Sequence, residues 1–191
     1  MAQVALFEMK QESMKKLLIE KLSKDMPDEL KTQVASVANL ANEIWHEHYT
    51  PIIGSVQVEY MLKKFQSEEQ IYTDIHENGF TYFIARYQGS ENPIAYCGVV
   101  PEEDSLLVSK LYVQIDHRGK GISKSLLKKA ADLCEKEYGF NKIHLTVNKY
   151  NSDSIAIHQK NGFKIIDSIK TDIGNGFFMD DFVMEYLTKS A

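Results

Sequence analysis

Apolar residues fall at spacings of three and four through the first third of the chain and in runs or alternation afterwards. Met14, Leu17, Leu18 and Leu22 lie as on one face of a helix, with Pro27 and Asp28 at its end, so the spacing predicts a helix over 12–24. A second stripe, Leu30, Val34, Val37, Leu40, Ala41, Ile44 and Trp45, predicts a long helix running to the turn chemistry of Thr50 and Pro51. Val58, Met61, Leu62 and Phe65 predict a third helix. Ser67, followed three residues later by Gln70, has the form of a capping box, and Asn78 with Gly79 closes the short helix it opens.

The rhythm then changes. Thr81 to Tyr87, Ile94 to Val100 and Leu106 to Val113 are rich in aromatic and β-branched residues and predict three strands, the first two separated by the polar turn Gln88 to Asn92. Residues 122–138 return to helical spacing with Ile122, Leu126, Leu127, Ala130, Leu133 and Cys134 apolar, and Gly139 stands where the helix ends. Ile143 to Val147 reads as a strand and Asn151 to Lys160 as a short helix. Phe163 to Ile169 and Phe177 to Leu187 read as two strands around Gly174 to Gly176.

Length and composition narrow the class. The 191 residues suit one domain, 1–191, and 43% hydrophobic with 26% charged residues is ordinary globular composition. No apolar run approaches the roughly 18 residues needed to cross a bilayer, and MAQVALFEMKQES lacks a basic stretch followed by an apolar block, so a cytoplasmic protein without a membrane partner is expected. Cys97 and Cys134 are far apart, which predicts buried free thiols and no metal site. A net charge of -5 argues against a nucleic-acid surface and mildly favours cationic small molecules.

The chemistry concentrates in Leu111 to Ser125, LYVQIDHRGKGISKS, where a β-rich run passes through a glycine loop directly into a helix. A helix N-terminus presents unpaired N–H groups and a positive dipole end, and Gly119 and Gly121 let the backbone approach a diphosphate closely. Arg118, Lys120 and Lys124 crowd the same turn, an arrangement the helix dipole opposes and a bound polyanion would resolve. A glycine turn with a solvated basic face is the competing reading. The loop lacks the Gly-Lys-Ser/Thr ending of a phosphate-binding NTPase loop.

These residues resemble the GNAT superfamily of acyl-CoA-dependent N-acetyltransferases, whose motif has Gln or Arg, two variable residues, Gly, one residue, then Gly or Ala. Here the six positions are Asp116, His117, Arg118, Gly119, Lys120 and Gly121, followed by Ile122 and Leu126. A second block, Asn151, Ser154, His158, Gly162 and Phe163, matches the family's Asn, small residue, Tyr and Gly-Phe. Asp116 departs from the usual Gln or Arg, Ser123 from a frequent glycine and His158 from the usual Tyr. The resemblance covers residues 80–187, and IWHEHYTPIIG with MDDFVMEYL looks most like the polyamine and diamine branch.

The resemblance implies a mixed α/β fold with a central, mostly antiparallel twisted sheet of about six to seven strands, splayed at the cofactor site and flanked by helices. The 12–24 helix would be an addition. Residues 1–80 would form a mainly helical acceptor-side region and 81–187 a cofactor-binding core. It implies transfer from acetyl-CoA to a primary amine by direct attack through a tetrahedral intermediate, with a polyamine or other small cationic amine as acceptor. A peptide or protein acceptor, or a non-catalytic acyl-CoA sensor, are the alternatives. Cofactor contacts fall on Leu111, Tyr112, Val113, Arg118, Gly119, Lys120, Gly121, Ile122, Ser123, Lys124, Asn151, Ser154 and His158. The Val113 N–H is the candidate oxyanion donor and His158, as imidazolium, the candidate acid, with Tyr150 next in line. For the acceptor side the candidates are His46, Tyr49 and Glu102, with His48, Glu103 and Asp104 as further polar groups. HEHY is not an HExxH zinc motif. Exposed edge strands leave room for a homodimer.

Overall fold

The strand runs and helical stripes sort into one seven-stranded sheet with helices on both faces, in a computed structural model that describes residues 16–188. In chain order the elements are β1 (Leu17–Lys21), α1 (Pro27–His48), α2 (Thr50–Ile53), α3 (Ser55–Phe65), α4 (Glu68–His76), β2 (Thr81–Tyr87), β3 (Ala95–Pro101), β4 (Leu106–Val113), a 3-10 turn (Ile115–His117), α5 (Ile122–Lys136), β5 (Lys142–Asn148), α6 (Ser152–Lys160), β6 (Lys164–Gly174) and β7 (Phe177–Leu187). The sheet order is β1-β2-β3-β4-β5-β7-β6, and all pairs are antiparallel except β4 with β5.

One expectation is corrected at the start of the chain. Leu17–Lys21 is an edge strand, pairing antiparallel with β2 from Leu17 opposite Tyr87 to Lys21 opposite Phe83, and not the added N-terminal helix. Over five residues the helical spacing is compatible with either structure, and backbone pairing to β2 decides. Leu17 and Ile19 pack against one core while Leu22 enters the other. Met14 lies outside the described residues. Pro27, read as the end of that helix, is instead the first residue of α1. Its missing N–H costs nothing there, and Asp28 and Glu29 complement the positive dipole end. The cap before α4 forms as expected, the Ser67 hydroxyl accepting from Gln70 N–H at 3.2 Å; the Gln70 side chain turns away to donate to Asp74.

The sheet divides the interior into two cores. On one face α5 buries Ile122, Leu126, Leu127, Ala130 and Leu133 against Val108, Leu145, Val147 and Met184. On the other, α1, α3 and α4 bury Val37, Ile44, Trp45, Val58 and Ile71 against Tyr82, Ile84 and Tyr96. That helical face also holds charge. Asp74 of α4 pairs with Lys110 of β4 at 2.8 Å, both nearly sealed from solvent, and accepts from the Tyr82 hydroxyl at 3.0 Å. Gly98 makes room for them, since a Cβ there would meet Tyr82 Cζ at 3.2 Å and Lys110 Cδ at 3.3 Å.

Two irregularities open the sheet centre. Gly98 pairs with Lys110 and Val99 with Val108, so Ser109 is an extra residue in β4, a bulge. The parallel β4–β5 pairing runs only from Leu106 opposite Ile143 to Val108 opposite Leu145, after which the strands diverge. Among the described residues no helix is long and apolar enough to cross a membrane, and no cluster of metal-ligating side chains forms.

Candidate functional site

The divergence of β4 and β5 creates the site. Gln114 N–H donates to the Ile94 carbonyl beside β3. Because successive backbone groups of a strand point to opposite sides, the N–H groups of Val113 and Leu111 then face the gap. Beyond β4 the 3-10 turn leads into Gly119 (φ 76°) and Gly121 (φ 78°), both in the left-handed region, and Gly121 is the N-cap of α5. A Cβ built at either glycine meets nothing within 4 Å, so the loop surface is open. The first intrahelical backbone bond here is from Ser125 N–H to the Gly121 carbonyl, which leaves the N–H groups of Ile122, Ser123 and Lys124 free to receive an anion.

The loop residues divide by role. Lys120 and Lys124 are exposed beside this N-terminus. The Ile122 side chain is buried in the α5-side core, so only its backbone belongs to the loop surface. Arg118 does not offer a free guanidinium: Nε donates to the Val113 carbonyl at 3.0 Å and Nη2 pairs with Glu47 at 2.7 Å. These contacts brace the loop against the end of α1.

Below the gap lies a cavity of about 270 Å³. The helical side lines it with Trp45, Tyr49, Met61 and Phe65, the β4 bulge with Ser109 to Tyr112, β5 with Leu145 to Asn148, α6 with Ser154 and His158, and β7 with Met179 and Asp181. A larger, open depression of about 900 Å³ between α1, α3 and the β2–β3 turn includes none of the loop, gap or α6 residues.

The other expected positions lie in this cavity, around it or away from it. The Tyr112 ring packs with Trp45, Tyr49 and Tyr96 at centroid distances of 5.6, 6.3 and 5.2 Å, so it walls the cavity from the helical side. Asn151 is buried as the N-cap of α6, its side-chain oxygen accepting from Ser154 N–H at 3.3 Å, and it supports the cavity wall without lining it. Tyr150 is 74% exposed and does not line the cavity. Of the acceptor-side candidates only Tyr49 does. His46 is held on the outer face of α1 by the Asn42 carbonyl at 2.8 Å and Glu59 at 2.7 Å, contacts that raise its pKa. His48 meets the Tyr49 ring edge-on at 4.8 Å. Glu102 pairs with His144 at 3.3 Å and Asp104 with Lys142 at 2.7 Å, both away from the cavity.

Burial sets the cavity's proton chemistry. It pushes His158 down to about 4, with Nδ1 unpartnered and the ring edge-on to Phe163 at 5.6 Å. At neutral pH the ring is therefore uncharged, and the imidazolium expected from sequence is not its resting form. Burial pushes the Tyr49 hydroxyl up to about 12, so it keeps its proton. Asp181, 6% exposed, is raised to about 6 by burial first and by neighbouring Asp180 second. Lys110 brings no free charge. Burial lowers its pKa, against the pull of the Asp74 carboxylate it contacts.

Sequence reasoning missed Asp181. Alternation along FFMDDFVMEYL sends the two aspartates to opposite faces without saying which is internal. The sheet decides: Asp180 pairs with Lys149 at the outside, while Asp181, opposite Asn148 of β5, turns inward beside Met179.

The sequence pattern of the acetyltransferase (GNAT) family matches residues 37–163, from α1 to the end of the turn after α6. The spermidine N(1)-acetyltransferase of Thermoplasma acidophilum is 26% identical over 148 residues, which is 76% of this chain and 88% of that protein. The uncharacterized N-acetyltransferase YjgM of Escherichia coli is 27% identical over 103 residues, 52% of this chain, and the match spans only 60% of its own length. Among solved structures, PaiA N-acetyltransferase from Thermoplasma acidophilum in complex with coenzyme A superposes with a TM-score of 0.72 at 23% identity, covering 90% of this chain and 99% of that one. This last likeness is one of fold.

Proposed function

The chain belongs to the acetyltransferase (GNAT) family, and from that premise we propose that it moves an acetyl group from acetyl-CoA to a primary amine, a polyamine or other small cationic amine. The observation that carries this reading is the continuity of three features: an open glycine loop at the α5 N-terminus, a strand gap faced by backbone N–H groups, and a cavity of about 270 Å³ below it.

The chain's groups fit the donor. The N–H groups of Ile122, Ser123 and Lys124, with Lys120 and Lys124 beside them, suit a pyrophosphate, and the open space at Gly119 and Gly121 admits it. Leu111 and Val113 suit the extended amide arm, which has its own donors and acceptors. When bound, acetyl-CoA supplies an activated thioester carbonyl. The Val113 N–H, fixed in the gap, is then a preorganised donor for the oxygen that gains negative charge. Two groups in the cavity hold a proton for the departing sulfur, the Tyr49 hydroxyl and the uncharged His158 ring. Of these Tyr49 is the better acid, since a phenol at about 12 releases its proton more readily than a neutral imidazole.

The small-amine acceptor is supported by the cavity's volume of about 270 Å³, by the formal charge of -5, and by the substrate that names the Thermoplasma acidophilum relative. The test is release of CoA thiol from acetyl-CoA by the purified protein across polyamines, amino acids, aminoglycosides and peptides, with mass detection of product. Amine-dependent release and an acetylated polyamine are expected. Saturable CoA binding with no acetylated product from any amine would replace the enzyme with a sensor, and release driven only by peptides would move the acceptor class.

A further inference from the structure

The cavity presents one carboxyl group among its lining residues, that of Asp181. Its walls include four aromatic side chains, Trp45, Tyr49, Phe65 and Tyr112, beside neutral polar ones such as Gln57, Ser109 and Asn148, and its one lysine, Lys110, is already paired with Asp74. Asp181 has no such partner. The cation on its flank, Lys149, is paired with Asp180 on the opposite side of β7. The other titratable groups facing it are the phenols of Tyr49, just after α1, and Tyr112 from β4 and, across the cavity, His158 of α6; the Thr146 hydroxyl of β5 hydrogen-bonds the carboxylate.

A buried carboxyl without a cation is unfavourable for folding, and a group so perturbed in a cavity is a candidate for chemistry. A single carboxylate in a cavity with aromatic rings and neutral polar groups around it matches an alkylammonium group: the carboxylate meets the charge, and rings and polar side chains suit the alkyl chain and the remaining N–H groups. A neutral or anionic acceptor would leave Asp181 without a cation, so the carboxylate selects for positive charge.

Resting on the acetyl-transfer reading, we propose that Asp181 receives the ammonium group of the acceptor and takes one of its protons before attack. The carboxylate accepts a proton from R–NH3+, leaving R–NH2 and the neutral acid. The freed lone pair forms the C–N bond to the thioester carbonyl carbon, whose π pair moves onto oxygen. When the carbonyl re-forms, the C–S bond breaks and sulfur keeps the bonding pair. Sulfur gains a proton through the cavity, replaced by the second proton leaving nitrogen, and Asp181 returns its own to water. Amine cation and thioester thus become amide, thiol and one free proton. A carboxyl near 6 is ionised at neutral pH and still basic enough to share the proton.

The experiment compares wild type, Asp181→Asn and Asp181→Glu with spermidine and 1,4-diaminobutane. Amine binding to the CoA-saturated protein is read by calorimetry, transfer by steady-state kinetics from pH 5 to 9, and acetyl-CoA affinity separately. Asp181→Asn is expected to lower kcat/KM for the amine about 100-fold or more and to abolish the wild-type acid limb near pH 6. Acetyl-CoA affinity stays within about twofold, and Asp181→Glu recovers part of the activity. Asp181→Asn acting within about twofold of wild type, or binding the amine as well, overturns the proposal, as does a wild type that binds neither amine. If wild type binds the amines, Asp181→Asn does not, and neither protein transfers acetyl, the ammonium site stands and the transfer reading falls.

Discussion

The two faces of the sheet are built from different materials. The α5 face is an apolar core under a backbone-made loop whose open groups are the N–H donors of Val113 and of Ile122 to Lys124. The helical face is a core threaded with charge and hydroxyls: Asp74 with Lys110, Tyr82 bonded to Asp74, and Asp181 with Tyr49 around the cavity. Backbone donors recognise what every donor molecule shares, a pyrophosphate and an amide arm. Side chains distinguish one amine from another. On the proposed function, the contrast corresponds to a shared donor on the backbone-made loop and a specific acceptor among the side chains of the cavity.

The most forceful way to break the contrast is to remove one charge from the helical face. Lys110→Met leaves Asp74 buried without its cation, and a loss of about 3–5 kcal/mol of stability is expected in urea unfolding. Replacing both, as Asp74→Leu with Lys110→Met, should recover most of that loss. If the single change costs no more than the double, the pair does not hold this face.

On the other face, Gly121→Val puts a β-branched residue at φ 78° and closes open space over the loop. Acetyl-CoA affinity is expected to fall about tenfold or more while amine binding is kept, as read by calorimetry. Equal losses for both ligands would mean that the faces are not separate sites.

A smaller effect sharpens the proton chemistry within the cavity. Tyr49→Phe is expected to lower kcat about tenfold, and His158→Phe by less, because the His158 ring is uncharged at working pH. A larger kcat loss from His158→Phe would restore that residue as the acid.

The smallest effect is in stability against pH. A carboxyl raised to about 6 in the fold, from an ordinary 3.8, favours the protonated form. Its stabilising contribution is fully present below about pH 4 and is lost as pH rises through 6. Asp181→Asn should therefore melt higher than wild type at pH 8, with the difference shrinking toward pH 4. A difference constant across that range would mean that Asp181 is not buried with a raised pKa.

How legible each face was follows from the same contrast. The loop and α5 could be read because glycine pairs, helical spacing and a strand-to-helix junction are local in sequence, and Gly119, Gly121 and Ser123 take their roles from backbone position. The cavity proposed for the acceptor is assembled from residues as far apart as Tyr49, Ser109 and Asp181. Only the register of β5 with β7 brings Asp181 inside and sends Asp180 out. His46 and Glu102 had the right chemistry for a binding site, but their partners Glu59 and His144 hold them elsewhere. Leu17 to Lys21 had helical spacing and became a strand because β2 offered an edge.

The division of the two faces is tested most directly by backbone amide NMR with sequential addition of CoA and then spermidine. The account predicts that CoA shifts Leu111, Val113 and Gly119 to Lys124 first, and that spermidine then shifts Tyr49, Tyr112 and Asp181 with little further change in the loop. CoA shifts that avoid the glycine loop, or spermidine shifts confined to the depression between α1, α3 and the β2–β3 turn, would contradict it.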